Sequence, residues 1–415
     1  MSSFTLPSGR GGRSIPIHLD GVLIGLVFAI VLLGLVIVTS ASMSMASQGG
    51  GSPFAYLERQ LVLVLAGSVG AVIAFAVRSE LLEKWSFPLL LLAAVLLLLV
   101  LIPGIGHVVN GSRRWIRVAG VGFQVSEATR VMVLVFIASY AVRREEELRS
   151  SFKGLLKPLL LLGVFFVLLL LEPDFGAAVV LLATAFGVLF MAGARWRDLI
   201  GLAVVGGGLL TWVAMSSEYR LRRLTSFRNP WLDPFDSGFQ LTQSLIAIGR
   251  GGWTGVGLGE SVQKLFYLPE AHTDFLFAVL AEELGLLGVL LTVALFCALS
   301  WRAMHIARLA SDAGLKFQAY IAAGFAIWVG LQSFINIGVN MGLLPTKGLT
   351  LPFMSYGRSS MLVALAWVGM VLRVYHEAVL AAKGPAAINL RGSASRVDDS
   401  GAAPLGLAAA RKGVA

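Results

Sequence analysis

Apolar positions in this chain do not alternate with polar ones. They come in long, nearly uninterrupted runs, each about the ~20 residues that an α-helix needs to cross a hydrocarbon core. The runs predict ten spans, near 20–42, 59–77, 85–103, 124–142, 157–172, 174–192, 198–215, 274–300, 317–341 and 352–376. Only Glu172, Pro173 and Asp174 separate the fifth from the sixth, which makes that pair a tight helical hairpin. The expected fold is an all-α polytopic membrane protein: about ten transmembrane helices over residues 18–379, with a large extracytoplasmic loop at 216–273. A short polar tail (1–17) precedes the first span. Residues 380–415, rich in Ala, Gly and Ser, read as a disordered tail. No internal repeat is visible, so the pattern does not support an inverted-repeat transporter.

Composition agrees with that pattern. Hydrophobic residues make up 57% of the chain and charged residues 13%, against roughly a quarter charged in ordinary soluble proteins. A lone cysteine, Cys297 in an apolar run, excludes an intrachain disulfide and any cysteine-based metal cluster. The five histidines show no ligand spacing that points to zinc. With an even number of spans, both termini share a side, and placing them in the cytoplasm puts 20 of the 33 lysines and arginines there, as the positive-inside rule requires.

The remaining basic residues are the more informative ones, because they lie where that rule disfavours them. They gather in three outer loops, after the third, seventh and ninth spans. In NGSRRWIRVAG, Arg113, Arg114 and Arg117 surround Trp115. Attraction to anionic headgroups, at about 1 kcal/mol per charge, would explain one such loop. Three basic loops point to a shared anion site, since arginine holds phosphate in a bidentate fork. The long loop carries aromatic residues, a short amphipathic pattern at Leu241, Leu245 and Ile248, and glycine-rich turns in GRGGWTGVGLGE. It reads as ordered and interfacial.

Within the spans, Glu127 and Arg130 of FQVSEATR form an i,i+3 pair on one helix face, with Ser126 a suitable helix start. Gln332, Asn336 and Asn340 make a polar stripe that must face the bundle interior. It leads outward to Lys347, in a loop stiffened by proline and glycine. LPEAHTDFLFAVLAEELG places Glu270, His272 and Asp274 at the mouth of the eighth span and Glu282 and Glu283 two turns deeper. Thr273 or Asp274 is the natural N-cap there, and a helix N-terminus should keep Asp274 ionised at neutral pH. Such a carboxylate suits a base or a cation partner. The two deeper glutamates need partners, for which the stripe at 332–340 is a candidate.

Together these motifs resemble the SEDS family (shape, elongation, division and sporulation), the polytopic glycosyltransferases of peptidoglycan synthesis. NGSRRWI, FQVSEATR, EPDFG, RNPWLDPFDSGFQLTQSLIAIGRGG, VQKLFYLPEAHTDFLFAVLAEELGLLG and GLLPTKGLTLPFMSYG carry the likeness. The LPTKGLTLP form is closer to the family's cell-division members than to its elongation members. The resemblance implies that Asp274 is the catalytic residue and that Arg114, Glu127, Arg130, Lys347, Glu270, His272 and Ser355 contact substrate. Val125 and Arg130 replace the family's usual proline and lysine, and Arg358 stands at a glycine position. The implied reaction joins lipid II units into glycan on the outer face, during septal wall synthesis, with undecaprenyl pyrophosphate leaving. It needs a base and positive charge, to which a divalent cation (Mg or Mn) at Glu270 and Asp274 could add. No transpeptidase motif is present, so the implied partners are a class B penicillin-binding protein (an FtsI-like transpeptidase) and division regulators such as the FtsQLB complex. A lipid II flippase and a non-catalytic scaffold for a penicillin-binding protein are the alternatives.

Overall fold

A computed structural model describes residues 17–48, 52–109, 111–118, 121–215, 227, 229–236, 238–265, 267–345 and 348–383. Each expected span is a helix: α1 (Gly21–Gln48), α2 (Ala55–Ala76), α4 (Ser86–Leu101), α5 (Val125–Arg143), α7 (Phe152–Leu171), α8 (Phe175–Met191), α9 (Trp196–Met215), α11 (Leu276–Asp312), α12 (Lys316–Asn340) and α13 (Arg358–Lys383). Three further helices link them: α3 (Ser79–Lys84), α6 (Glu145–Ser150) and the amphipathic α10 (Phe239–Gly251). Among the described residues, seven helices are long and apolar enough to cross a bilayer, and α4 and α8 are shorter apolar helices. The molecule is a helical polytopic membrane protein. Of the outer basic positions, Arg220, Arg222, Arg223, Arg228 and Lys347 lie outside the described residues, as do most of the 1–17 and 380–415 tails.

Several boundaries move for physical reasons. α7 starts at Phe152, before the expected 157, because Ser151 caps it: its hydroxyl accepts from Gly154 N at 3.3 Å. Pro158 sits inside this helix and cannot donate to Gly154 O. The Tyr140 hydroxyl fills that place at 2.6 Å. α13 begins only at Arg358, after a turn segment, and it carries the chain through 380–383, which had read as disordered tail. The all-α expectation also missed a small antiparallel sheet after α4, with β1 (Gly106–Val109), β2 (Ser112–Val118) and β3 (Val121–Gln124) in the order β1-β2-β3. The β1–β2 register shifts between His107 and Val108, which leaves Arg114 without a paired residue on β1; Arg113 turns back to Leu101 O at 3.2 Å, while Arg114 turns to Asp174. A one-loop basic cluster is thereby split between two directions.

α5 and α12 are the most enclosed of the membrane-length helices, and α12 packs against α11, α8, α13 and α5. α13 lies along α2 at very short range. A Cβ added to Gly369 would stand 2.1 Å from Ala71 O, and one added to Gly67 would meet Leu365 at 2.6 Å. Small residues allow this approach, and dispersion between the two backbones rewards it.

α11 is broken at Gly285, whose φ of 63° and ψ of −160° end one helix and begin another. A break inside a bundle frees backbone groups that must be satisfied. Residues 251–257 of the outer loop satisfy them: Val256 N and Gly257 N donate to Glu282 O and Glu283 O at 3.0 and 3.1 Å, while Leu286 N and Leu287 N donate to Gly252 O and Trp253 O at 2.9 and 3.2 Å. The glycines of GRGGWTGVGLGE are therefore more than turns. A Cβ on Gly255 (φ 82°) would lie 2.0 Å from Glu283 O.

The same loop, and not the stripe on α12, partners the two deep glutamates. Glu282 accepts from the Ser261 hydroxyl, Val262 N, Gln263 N and Arg250. Glu283 accepts from Lys264 Nζ at 2.9 Å and from the Ser40 hydroxyl on α1. Lys264 Nζ also reaches Ser40 Oγ (2.8 Å) and Gly259 O (2.6 Å). Lys264 and Glu283 are both buried, so removing one partner strands a charge, at about 3–5 kcal/mol. Lys264→Met is expected to lower the melting temperature of detergent-solubilised protein markedly, and adding Glu283→Gln to recover part of the loss. A Lys264→Met protein that melts with wild type would show that the pair does not hold the loop.

Candidate active site

The segment Glu270–Phe275 enters α11 as a turn, with Thr273 N and Phe275 N both donating to Glu270 O (3.1 and 3.2 Å) and the Thr273 hydroxyl to Glu270 Oε2 (2.7 Å). Glu270 has a φ of 56°. Neither Thr273 nor Asp274 caps the helix. The N-cap residue is Phe275, with no side-chain hydrogen bond. α12 supplies the missing partner instead: Asn340 Oδ1 accepts from Ala278 N at 3.2 Å. Asn340 Nδ2 and Asn336 Nδ2 both donate to the Asp274 carbonyl, at 3.1 and 2.9 Å. The Asp274 side chain is thus left free of capping duty.

The polar stripe also holds the chain that faces Asp274. Asn336 Nδ2 donates to Leu349 O (2.6 Å) and Gln332 Nε2 to Thr350 O (2.9 Å). A Cβ added to Gly348 would stand 3.3 Å from Asp274 Oδ2, so residues 348–350 run directly beside the carboxyl. Ser355 is buried and structural here: its hydroxyl accepts from Leu351 N at 2.9 Å, and its carbonyl from Gln60 on α2 at 3.4 Å. Tyr356 N donates to His272 O at 3.0 Å. The His272 ring is buried between Tyr56 and Tyr356, with centroids 5.2 and 5.7 Å away. Burial lowers its pKa against the opposing pull of Glu270, so the imidazole is neutral at pH 7.

The second wall comes from β2 and the α7–α8 turn. Asp174 caps α8, accepting from Ala177 N at 3.2 Å through Oδ1. Its Oδ2 accepts from Gln124 Nε2 (3.0 Å) and the Ser126 hydroxyl (2.8 Å). Ser126 therefore holds this wall and does not start α5, which begins at Val125. Arg114 Nη1 faces Asp174 Oδ1 at 3.8 Å, with 21% of its side chain exposed. The next turn packs on the first wall, since a Cβ on Gly176 would meet Leu349 at 2.9 Å. Asp174 and Arg114 are thereby joined to Asp274 across the 348–350 chain.

These surroundings overturn the expectation of a fully ionised Asp274. Its carboxyl is pushed up to about 7, by burial first and then by the negative charges of Glu270 and Asp174, with Arg114 opposing. Glu270 and Asp274 do not by themselves make a divalent-cation site: one Glu270 oxygen is bonded to Thr273, and among the described residues no three His, Cys, Asp or Glu side chains converge.

Glu127 and Arg130 form the expected pair, at 3.2 Å, but deep in the bundle. Arg130 is 2% exposed. Its guanidinium is shared between Glu127, Gln332 Oε1 (2.9 Å) and the Trp328 ring (5.6 Å). These two residues touch the site only through Gln332, which holds Thr350. Lys347 is outside the described residues, although its neighbour Gly348 adjoins Asp274. Sequence reasoning missed Asp174 and Glu172. Their signal was two acids in a three-residue outer turn, with Asp174 directly before an apolar run, the position of a helix cap.

The chain as a whole is similar to known proteins. The family model for the cell cycle proteins FtsW, RodA and SpoVE matches residues 21–379. A probable peptidoglycan glycosyltransferase FtsW of Methylococcus capsulatus is 52% identical over 365 residues, covering 87% of this chain and 91% of its own. One of Legionella pneumophila is 49% identical over 363 residues, covering 87% and 92%. Among solved structures, a chain from a work on the structural coordination of polymerization and crosslinking by a peptidoglycan synthase complex superposes with a TM-score of 0.73. It is 31% identical and covers 87% of this chain and 98% of its own. The rod shape determining protein RodA of Thermus thermophilus gives 0.64 at 30% identity, over 86% and 97%. With nearly every span and both walls of the site inside the matched region, the chain belongs to the FtsW, RodA and SpoVE family of cell cycle proteins.

Proposed function

We infer that this protein is a peptidoglycan glycosyltransferase that polymerises lipid II into glycan strands during cell division. The observation that carries the mechanism is the pairing of Asp274 with Arg114 across residues 348–350: a carboxyl poised near neutrality on one wall and a partly free guanidinium on the other. A glycosyl transfer needs both. The acceptor sugar hydroxyl passes its proton to Asp274 as its oxygen bonds to the anomeric carbon of the donor. The bond from that carbon to the pyrophosphate oxygen breaks, and Arg114 stabilises the charge that leaves with undecaprenyl pyrophosphate. A base with a pKa near the working pH balances the fraction ionised against the strength of proton abstraction.

Lys347 joins Arg114 as a second cation for the pyrophosphate, and Glu270 and His272 line the acceptor side. Arg130 and Glu127 act on the site from beneath, through Gln332. The site faces the outside of the cytoplasmic membrane, with both termini in the cytoplasm, as the distribution of basic residues favours. The work at the septum is shared with a class B penicillin-binding protein that crosslinks the strands, under regulators of the FtsQLB kind. The likeness to a chain from a peptidoglycan synthase complex supports such a pairing.

Purified protein in proteoliposomes, with a penicillin-binding partner and lipid II, should make glycan polymer. Asp274→Asn should lower the rate by about 10²–10⁴-fold, the usual contribution of a positioned general base. Polymerisation at the wild-type rate by Asp274→Asn would remove the assignment, and lipid II crossing vesicles without any polymer would favour the flippase. Because the base must be deprotonated to act, the rate should also rise with pH through about 7 and lose that limb in any residual activity of the variant.

A further inference from the structure

Glu172 takes no part in the chemistry above, yet it ends α7 in the wall that carries Arg114. It is fully buried, and neither carboxyl oxygen has a protein hydrogen-bond partner. Its neighbour Asp174 is the opposite case, with both oxygens occupied by Gln124, Ser126 and Ala177 N. The charged groups facing Glu172 are Asp174 from its own turn and Arg114 from β2. Asp274 lies beyond them and faces the same two residues. A buried, unbonded carboxylate beside a second carboxylate is costly, and the group relieves that cost by keeping its proton. Burial, reinforced by the charge of Asp174 and offset by Arg114, pushes this carboxyl up to about 8.

Arg114 shows what depends on that proton. At 3.8 Å its contact with Asp174 is electrostatic and too long for a hydrogen bond, and its Nε has no protein partner. A second ionised carboxylate two residues from Asp174 would offer the guanidinium charge-assisted, bidentate bonds. It would then turn inward, away from a ligand. We propose that Glu172 is a positioning residue that works as an uncharged acid, withholding a second negative charge from Arg114 so that the guanidinium stays free to hold the pyrophosphate of the lipid-linked donor. This rests on the role given to Arg114 above.

The test is lipid II binding to the full-length Asp274→Asn protein in nanodiscs across neutral to alkaline pH. The inactive background separates binding from base chemistry, and both phosphates of lipid II are esterified, so its pyrophosphate does not itself titrate in that range. With Glu172 present, affinity is expected to weaken above about pH 8, by up to about tenfold per pH unit, the limit for one linked proton. With Glu172→Gln added, affinity should stay level across the range. In the Glu172-containing protein, the infrared carbonyl stretch of one protonated carboxyl should vanish over the same alkaline range, a readout that needs no variant at position 172. Binding independent of pH, or an equal alkaline loss in Glu172→Gln, overturns the proposal and leaves Asp274 as the base. Arg114→Ala that binds lipid II as tightly as its parent overturns the reading of Arg114 and the proposal with it.

Discussion

The site depends on two asparagine side chains that stand in for a helix cap. A helix start normally recruits its own Ser, Thr, Asp or Asn to bond the first free amides. Here Asn340 reaches across from α12 to Ala278 N, and Asn336 and Asn340 together grip the Asp274 carbonyl. The backbone at Asp274 is thereby fixed while its carboxyl is left out of the helix cap. Each bond contributes about 1 kcal/mol or so by itself, but all share one helix face, so Asp274 and the 348–350 chain are held by the same rigid element. A carboxyl that had spent its oxygens on the helix would be a poor base.

Hydrogen-bond donors are shared unevenly among the buried acids around that fixed point. Asp174 and Glu282 have several partners each. Asp274 and Glu172 have almost none, and theirs are the carboxyls raised toward or past neutrality. Burial is the largest cause of both rises, and among the described residues no side-chain donor offsets it at either carboxyl.

Much of the fold was legible because a bilayer makes apolar length decisive, and every expected span is a helix. What stayed hidden depends on pairing across distance. The sheet around Arg114 is short and irregular at that residue, and three arginines in one loop read as one cluster. The partners of Glu282 and Glu283 come from a loop about 20 residues earlier and, through Ser40, from the first helix. The stripe at Gln332, Asn336 and Asn340 was visible as inward-facing, but nothing local says that its target is a backbone carbonyl. Asp274 was found through its motif. Its pKa was misjudged, because helix position is a local property and the field of Glu270 and Asp174 is not.

The break at Gly285 divides α11 into two bodies. Both are tied to residues 252–257 at the break, and residues 276–284 are bonded sideways to α12 as well. A push on residues 251–264 therefore reaches both pieces of α11 at the break, and reaches 276–284 through the buried Glu282 and Glu283 as well. The carboxyl proposed as the base stands one short helix away from a joint that a single loop segment clasps from both sides.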